Sequence, residues 1–120
     1  MDRTFLLIAA LSGVIGVGLG AFGAHGLRGR LTADMLAVFE TGVRYQMYHT
    51  LAIFATGLLL ARMDGWLVRT AAWAFTAGIV LFSGSLYVLA VTGTSAFGAI
   101  TPLGGLAFLV GWACLAIAAL

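Results

Sequence analysis

The distribution of apolar residues divides the chain into four segments. Thr4 to Gly23 holds 20 residues without a charge, which at about 1.5 Å per residue reaches roughly 30 Å, one hydrocarbon thickness. Small residues end this run and Arg3 precedes it, a pattern shared with cleavable leaders. Further hydrophobic segments downstream favour a retained span. The stretch His25 to Leu31, with Gly26, Arg28, Gly29 and Arg30, breaks the first helix, and Thr32 is placed to cap a second one with Asp34 in its first turn. That helix can run from Ala33 to Ala61, yet only Thr50 to Ala61 is nearly free of strongly polar side chains, too few residues to cross. Counting about 20 residues back from Arg62 reaches Gly42, so Arg44, Tyr45, Gln46, Tyr48 and His49 must enter the membrane or its interface. Arg62 to Trp66 forms a turn with an interfacial tryptophan, and Leu67 to Val91 makes a third span from whose end Arg69 can snorkel. After the small-residue loop Thr92 to Ala99, Thr101 as cap and Pro102 in the first turn open a fourth span ending at Leu120.

The expected fold is therefore an all-α integral membrane protein: one domain over residues 1–120, a four-transmembrane-helix up-down bundle. Its spans lie near 4–23, 42–61, 67–91 and 100–120, with helix two beginning as early as 33. Composition agrees: 62% hydrophobic and 8% charged residues, with mean hydropathy +1.12, fall far outside soluble usage. The net charge of +2 comes from six arginines that lie singly or in pairs near segment ends, which argues against nucleic-acid binding. The single cysteine, Cys114, sits in an apolar stretch and reads as packing.

Lipid tails supply little hydrophobic drive for helix association, so close backbone contact through small residues is needed. In span one Ser12, Gly16, Gly20 and Ala24 recur every four residues, with Ala9, Gly13 and Ala21 on an adjacent stripe. Ala74 and Gly78 in span three, and Ala107 and Gly111 in span four, offer the same contacts. Intramolecular packing is the expected use, with a homo-oligomer seam as a second. Trp66, Trp73 and Trp112 read as interfacial belts or packing. Gly20 to Ala24 faintly echoes Ser95 to Ala99, as a duplicated helix pair would.

In an up-down bundle the end of span one, the start of two, the end of three and the start of four share one membrane face. This brings together His25; Glu40, Arg44, Tyr45, Gln46 and His49; Ser83, Ser85 and Tyr87; and Thr101. Glu40 and Arg44 have the spacing of a helical ion pair, and Tyr45 stacks one turn from His49. Such groups are costly in lipid, so Glu40, Arg44 and His49 are expected to face protein. The cluster serves either as structural glue, His49 satisfying a serine hydroxyl, or as a ligand or transport site. No zinc-type His-Glu spacing, phosphate loop or cysteine pair occurs, so neither enzymatic activity nor a metal is expected. Haem ligation by His25 and His49 is unfavoured because the two lie at different depths; no cofactor is expected.

Gly20-Ala21-Phe22-Gly23-Ala24-His25-Gly26-Leu27, then Phe39, Gly42, Tyr45-Gln46 and His49, then Phe82 to Tyr87, and finally Ile100 to Gly105 with Gly111-Trp112 resemble the YgdD/YwdK-like family. These are small four-span bacterial membrane proteins classed as a domain of unknown function, with small eukaryotic transmembrane relatives. The resemblance covers nearly the whole chain and implies a plasma or bacterial inner membrane location without an established activity. The expected function is a non-catalytic membrane protein supporting membrane integrity or an envelope complex, in contact with membrane lipids and with a homo-oligomeric or envelope partner. The alternative is a small transporter or channel moving protons or a solute through the cluster. Arg3, Arg62 and Arg69 on one face balance Arg28, Arg30 and Arg44 on the other, so the charge count does not orient the bundle. The uncharged Thr92 to Ala99 loop translocates most easily, placing both termini in the cytoplasm.

Overall fold

A computed structural model describes residues 2–63 and 65–120. Five helices account for most of them: α1 (Arg3–His25), α2 (Ala33–Leu59), α3 (Trp66–Gly78), α4 (Gly84–Thr92) and α5 (Thr101–Ala118). A π-helical turn, Ile79–Ser83, joins α3 to α4 without a break, and a 3-10 turn, Ser95–Ala99, leads into α5. No strand occurs among the described residues. Asp64, in the expected turn from Arg62 to Trp66, lies outside them.

The helix ends follow local chemistry. The Asp2 carboxylate accepts the Thr4 N–H at 2.9 Å, and Thr32 Oγ1 accepts the Met35 N–H at 3.2 Å. Gly93, at φ 70°, closes α4 in the left-handed conformation that glycine adopts freely. Thr101 departs from its expected role. It is already helical, Ile100 occupies the cap position, and its hydroxyl bonds elsewhere. The echo between Gly20–Ala24 and Ser95–Ala99 has no structural counterpart either, since the first is the last turn of α1 and the second a separate 3-10 turn.

Three helical stretches are long and apolar enough to cross a membrane: Arg3–His25, Trp66–Thr92 and Ser95–Ala118. α2, at 27 residues, extends about 40 Å and has the length. It carries more polar side chains than the other three.

Those side chains make sense of its position. α2 packs against α1 on one flank and against α3, the π turn and α4 on the other, while α5 lies along α3 and the π turn. Along α2, Phe39, Gly42, Gln46, His49, Ile53 and Thr56 are buried, and Leu60 follows just beyond its end. Their alternating steps of three and four residues describe one seam of a helix packed in a bundle. Polar residues thus occupy the inner stripe of the central helix. Leu7, Val14, Val17, Leu103, Leu106 and Leu109 point outward on α1 and α5, an arrangement suited to a hydrocarbon solvent.

Around this seam the apolar core joins Phe5 and Ala9 of α1, Ile53 of α2, Val68, Ala71, Ala72 and Phe75 of α3, and Phe108 of α5. A smaller cluster of Leu27, Phe39 and Ala90 closes the opposite end. Glycines set the α3–α5 distance. Phe108 lies over Gly78, Phe75 over Gly111, and Gly104 abuts the Phe82 backbone of the π turn so closely that a Cβ there would collide with main chain. In α1, Gly16 lies against Met47 and Gln46, whereas Gly13 and Gly20 sit at ordinary van der Waals separation from α2.

Candidate functional site

The polar residues of the inner stripe form a connected set near mid-bundle. Gln46 lies halfway along α2, where its amide reaches both neighbours. Nε2 donates to the Ser12 carbonyl at 2.9 Å and to Ser12 Oγ at 3.3 Å, while Oε1 accepts the Tyr87 hydroxyl at 2.6 Å. The Ser12 and Thr50 hydroxyls are bonded at 2.6 Å. One amide thereby ties α1 to α4 through α2 with both of its ends engaged. Close by, the buried Ser83 hydroxyl of the π turn donates to the Gly42 carbonyl at 2.6 Å. A Cβ at Gly42 would fall 2.8 Å from the Tyr87 ring, so glycine lets α4 approach α2 here.

His49 sits on the same stripe one turn away. Its Nδ1 faces the Tyr45 carbonyl at 2.7 Å and must donate, and its Nε2 receives the Trp112 indole N–H at 3.1 Å and must accept. Both nitrogens are committed, which defines the neutral Nδ1–H tautomer. The ring stacks on Phe108 with centroids 3.6 Å apart and planes 6° from parallel. Tyr45 extends this aromatic layer onto Phe82 at 4.7 Å. At the end of the bundle, Ser85 and Thr101 pair their hydroxyls at 2.7 Å, joining α4 to the start of α5.

The expected ten-residue cluster is therefore brought together in part. Gln46, Ser83, Tyr87 and His49 lie in the interior, Ser85 and Thr101 form a separate link, and Tyr45 contributes its ring and carbonyl. Glu40, Arg44 and His25 do not join them. Glu40 and Arg44 are exposed, on the far side of α2 from the buried seam, and the only ion pair among the described residues is Arg69–Asp2 at 2.9 Å. The expectation that Glu40 and Arg44 pair inside the bundle is thus corrected, because neither occupies a three-four position of the seam. His25 ends α1 at the surface. The partner of His49 is also corrected, from a serine hydroxyl to an indole of α5.

Sequence reasoning missed three participants. Ser12 reads from its spacing as a packing residue, yet its hydroxyl and carbonyl both serve the network. Thr50 follows Gln46 by four residues on one helical face, a signal that was available. Trp112 reads as belt or packing, and no local pattern reports its bond to His49.

A family profile described as "Protein of unknown function (DUF423)" matches residues 19–105. The chain belongs to this family. The matched stretch contains Gln46, His49, Ser83, Ser85, Tyr87 and Thr101 and leaves Ser12 and Trp112 outside it. Over nearly the whole chain, this DUF423 protein is 50% identical to the UPF0382 membrane protein YwdK of Bacillus subtilis across 118 residues, covering 98% of the chain and 96% of the relative. It is 46% identical to a UPF0382 membrane protein of Haemophilus influenzae across 116 residues, covering 97% and 93%. A further UPF0382 membrane protein, from Staphylococcus saprophyticus, is 46% identical over 96% of the chain and 95% of its own length. No solved structure matches. The family resemblance read from the motifs stands, and the chain is a membrane protein.

Proposed function

We propose that this DUF423 protein crosses a plasma or bacterial inner membrane four times, both termini cytoplasmic, as a non-catalytic scaffold. It supports the membrane or an envelope complex through its outward surface, and its polar interior fixes the fold. One observation carries this reading: among the described residues, every buried side-chain nitrogen and oxygen has a hydrogen-bond partner within the chain. A conduit needs polar groups that exchange partners with the species passing through. Here Gln46 is engaged at both ends and His49 at both nitrogens.

The same bonds support α2 as the fourth span. Its polarity is too high for a lone helix in lipid, yet Ser12, Tyr87 and Trp112 on its neighbours receive those side chains. The outward apolar faces of α1 and α5 remain available to lipid, to a second copy or to an envelope partner.

The test is flux. Liposomes carrying the purified protein and an internal pH dye, under an imposed pH gradient and potential, should dissipate the gradient at the rate of protein-free liposomes. A faster rate that falls in Gln46→Leu or His49→Ala would replace this proposal with the transport alternative.

A further inference from the structure

Gly20 and Gly23 of α1 offer no side chain where they pass α2, and with Phe39, Val43, Glu40 and Arg44 they line a hollow of about 280 Å³. Its walls are apolar and its edge carries one acid and one base. Glu40 and Arg44 have the spacing of a helical ion pair, yet no ion pair joins them and neither side chain bonds another described residue. Two opposite charges left unpaired at one hollow suit a guest that itself carries both.

Depth selects the guest. Gly23 and Gly20 precede the end of α1, His25, by two and five residues, which places the hollow within about 8 Å of that end. Arg44 lies one turn further into α2 than Glu40, about 6 Å deeper. In a phospholipid the phosphate is attached next to the glycerol and the alcohol substituent lies further out. We propose that this hollow binds the headgroup of a zwitterionic aminophospholipid, with its phosphate on Arg44 and its primary ammonium on Glu40. The upper part of the lipid then rests on Val43. A quaternary ammonium has no N–H to give Glu40, and an anionic headgroup brings no cation to it. The inference rests on the four-span reading, because Arg44 is the deeper residue only if α2 crosses the membrane.

The full-length protein in detergent is mixed with phosphatidylethanolamine, phosphatidylcholine or phosphatidylglycerol of matched acyl chains, or with soluble phosphoethanolamine. Occupancy is read by native mass spectrometry and by the shift in Tm. Phosphatidylethanolamine should bind about 5-fold more tightly than the other two, the value of one exposed charge contact. Glu40→Gln should bring the ethanolamine-to-choline ratio close to one while leaving choline-lipid binding unchanged, and Arg44→Gln should weaken all three lipids. Both residues are exposed, and an unchanged Tm without lipid checks the fold; should Arg44→Gln fail to fold, Glu40→Gln decides. Equal binding of the ethanolamine and choline lipids, or a preference that survives Glu40→Gln, overturns the site. Soluble phosphoethanolamine competing at lipid concentrations would assign the hollow to a free phosphoamine and overturn the lipid assignment. Failure of the scaffold reading would appear separately, as ion flux.

Discussion

Replacing Gln46 with Leu nearly conserves side-chain volume, so its effect reports the polar contacts and not a cavity. The change removes donations to the Ser12 carbonyl and hydroxyl and the acceptor of the Tyr87 hydroxyl. Interhelical hydrogen bonds in membranes average about 0.6 kcal/mol, and a stranded hydroxyl adds about 1–3 kcal/mol. Ser12 keeps Thr50, the Tyr87 hydroxyl loses its Gln46 acceptor, and the expected loss is about 3–5 kcal/mol. Tyr87→Phe alone strands Gln46 Oε1, whereas Gln46→Leu with Tyr87→Phe strands neither. The double variant should therefore recover at least about 2 kcal/mol relative to the sum of the single losses. Unfolding by denaturing detergent, followed through the tryptophan emission, measures all three. Strictly additive losses, or a Gln46→Leu protein as stable as the parent, would refute the claim that this amide joins α1 to α4.

Three further outcomes follow. In nitrogen NMR of His49, Nε2 should resonate as an unprotonated acceptor, and Trp112→Phe should shift the Nε2 signal, keep Nδ1–H on the Tyr45 carbonyl and cost about 1 kcal/mol; a protonated Nε2 in the parent would contradict the Trp112 bond. Gly104→Ala, whose Cβ meets the Phe82 backbone, should destabilise by about 1–3 kcal/mol, whereas Gly18→Ala, with open space around it, should be neutral or gain up to about 1 kcal/mol; thermal unfolding that ranks them the other way refutes the packing. At Asp2, burial raises the carboxyl pKa, but the Thr4 N–H and Arg69 outweigh it and hold the group below its usual 3.8. A depressed carboxylate stabilises above its unfolded pKa and loses that contribution as pH falls through the folded value, so acid unfolding below about pH 4 should be steeper in the parent than in Asp2→Asn.

The helices were legible where apolar runs and caps carry a local signal, as the run from Thr4 and the Thr32 cap do. Counting back from Arg62 also singled out Gln46 and His49 as groups in need of protein partners, and both are buried. The direction in which a side chain points was harder. A spacing of four brings Glu40 near Arg44 without saying which way the pair faces, and only the seam through Phe39, Gly42, Gln46, His49 and Ile53 turns both outward. The Trp112–His49 bond depends on the register between helices distant in sequence. The π turn arises where α4 must meet Gly42 and α5 must pass Phe82, a tertiary demand with no local motif.

The central claim is that α2 crosses the membrane with its polar stripe turned inward. Single cysteines introduced in a Cys114→Ala background at Gly29, Met63 and Thr94, labelled in intact cells with a membrane-impermeant maleimide, test it most directly. Gly29→Cys and Thr94→Cys should label from outside, and Met63→Cys only after the membrane is opened. Labelling of Gly29→Cys and Met63→Cys from the same side would mean that α2 does not cross.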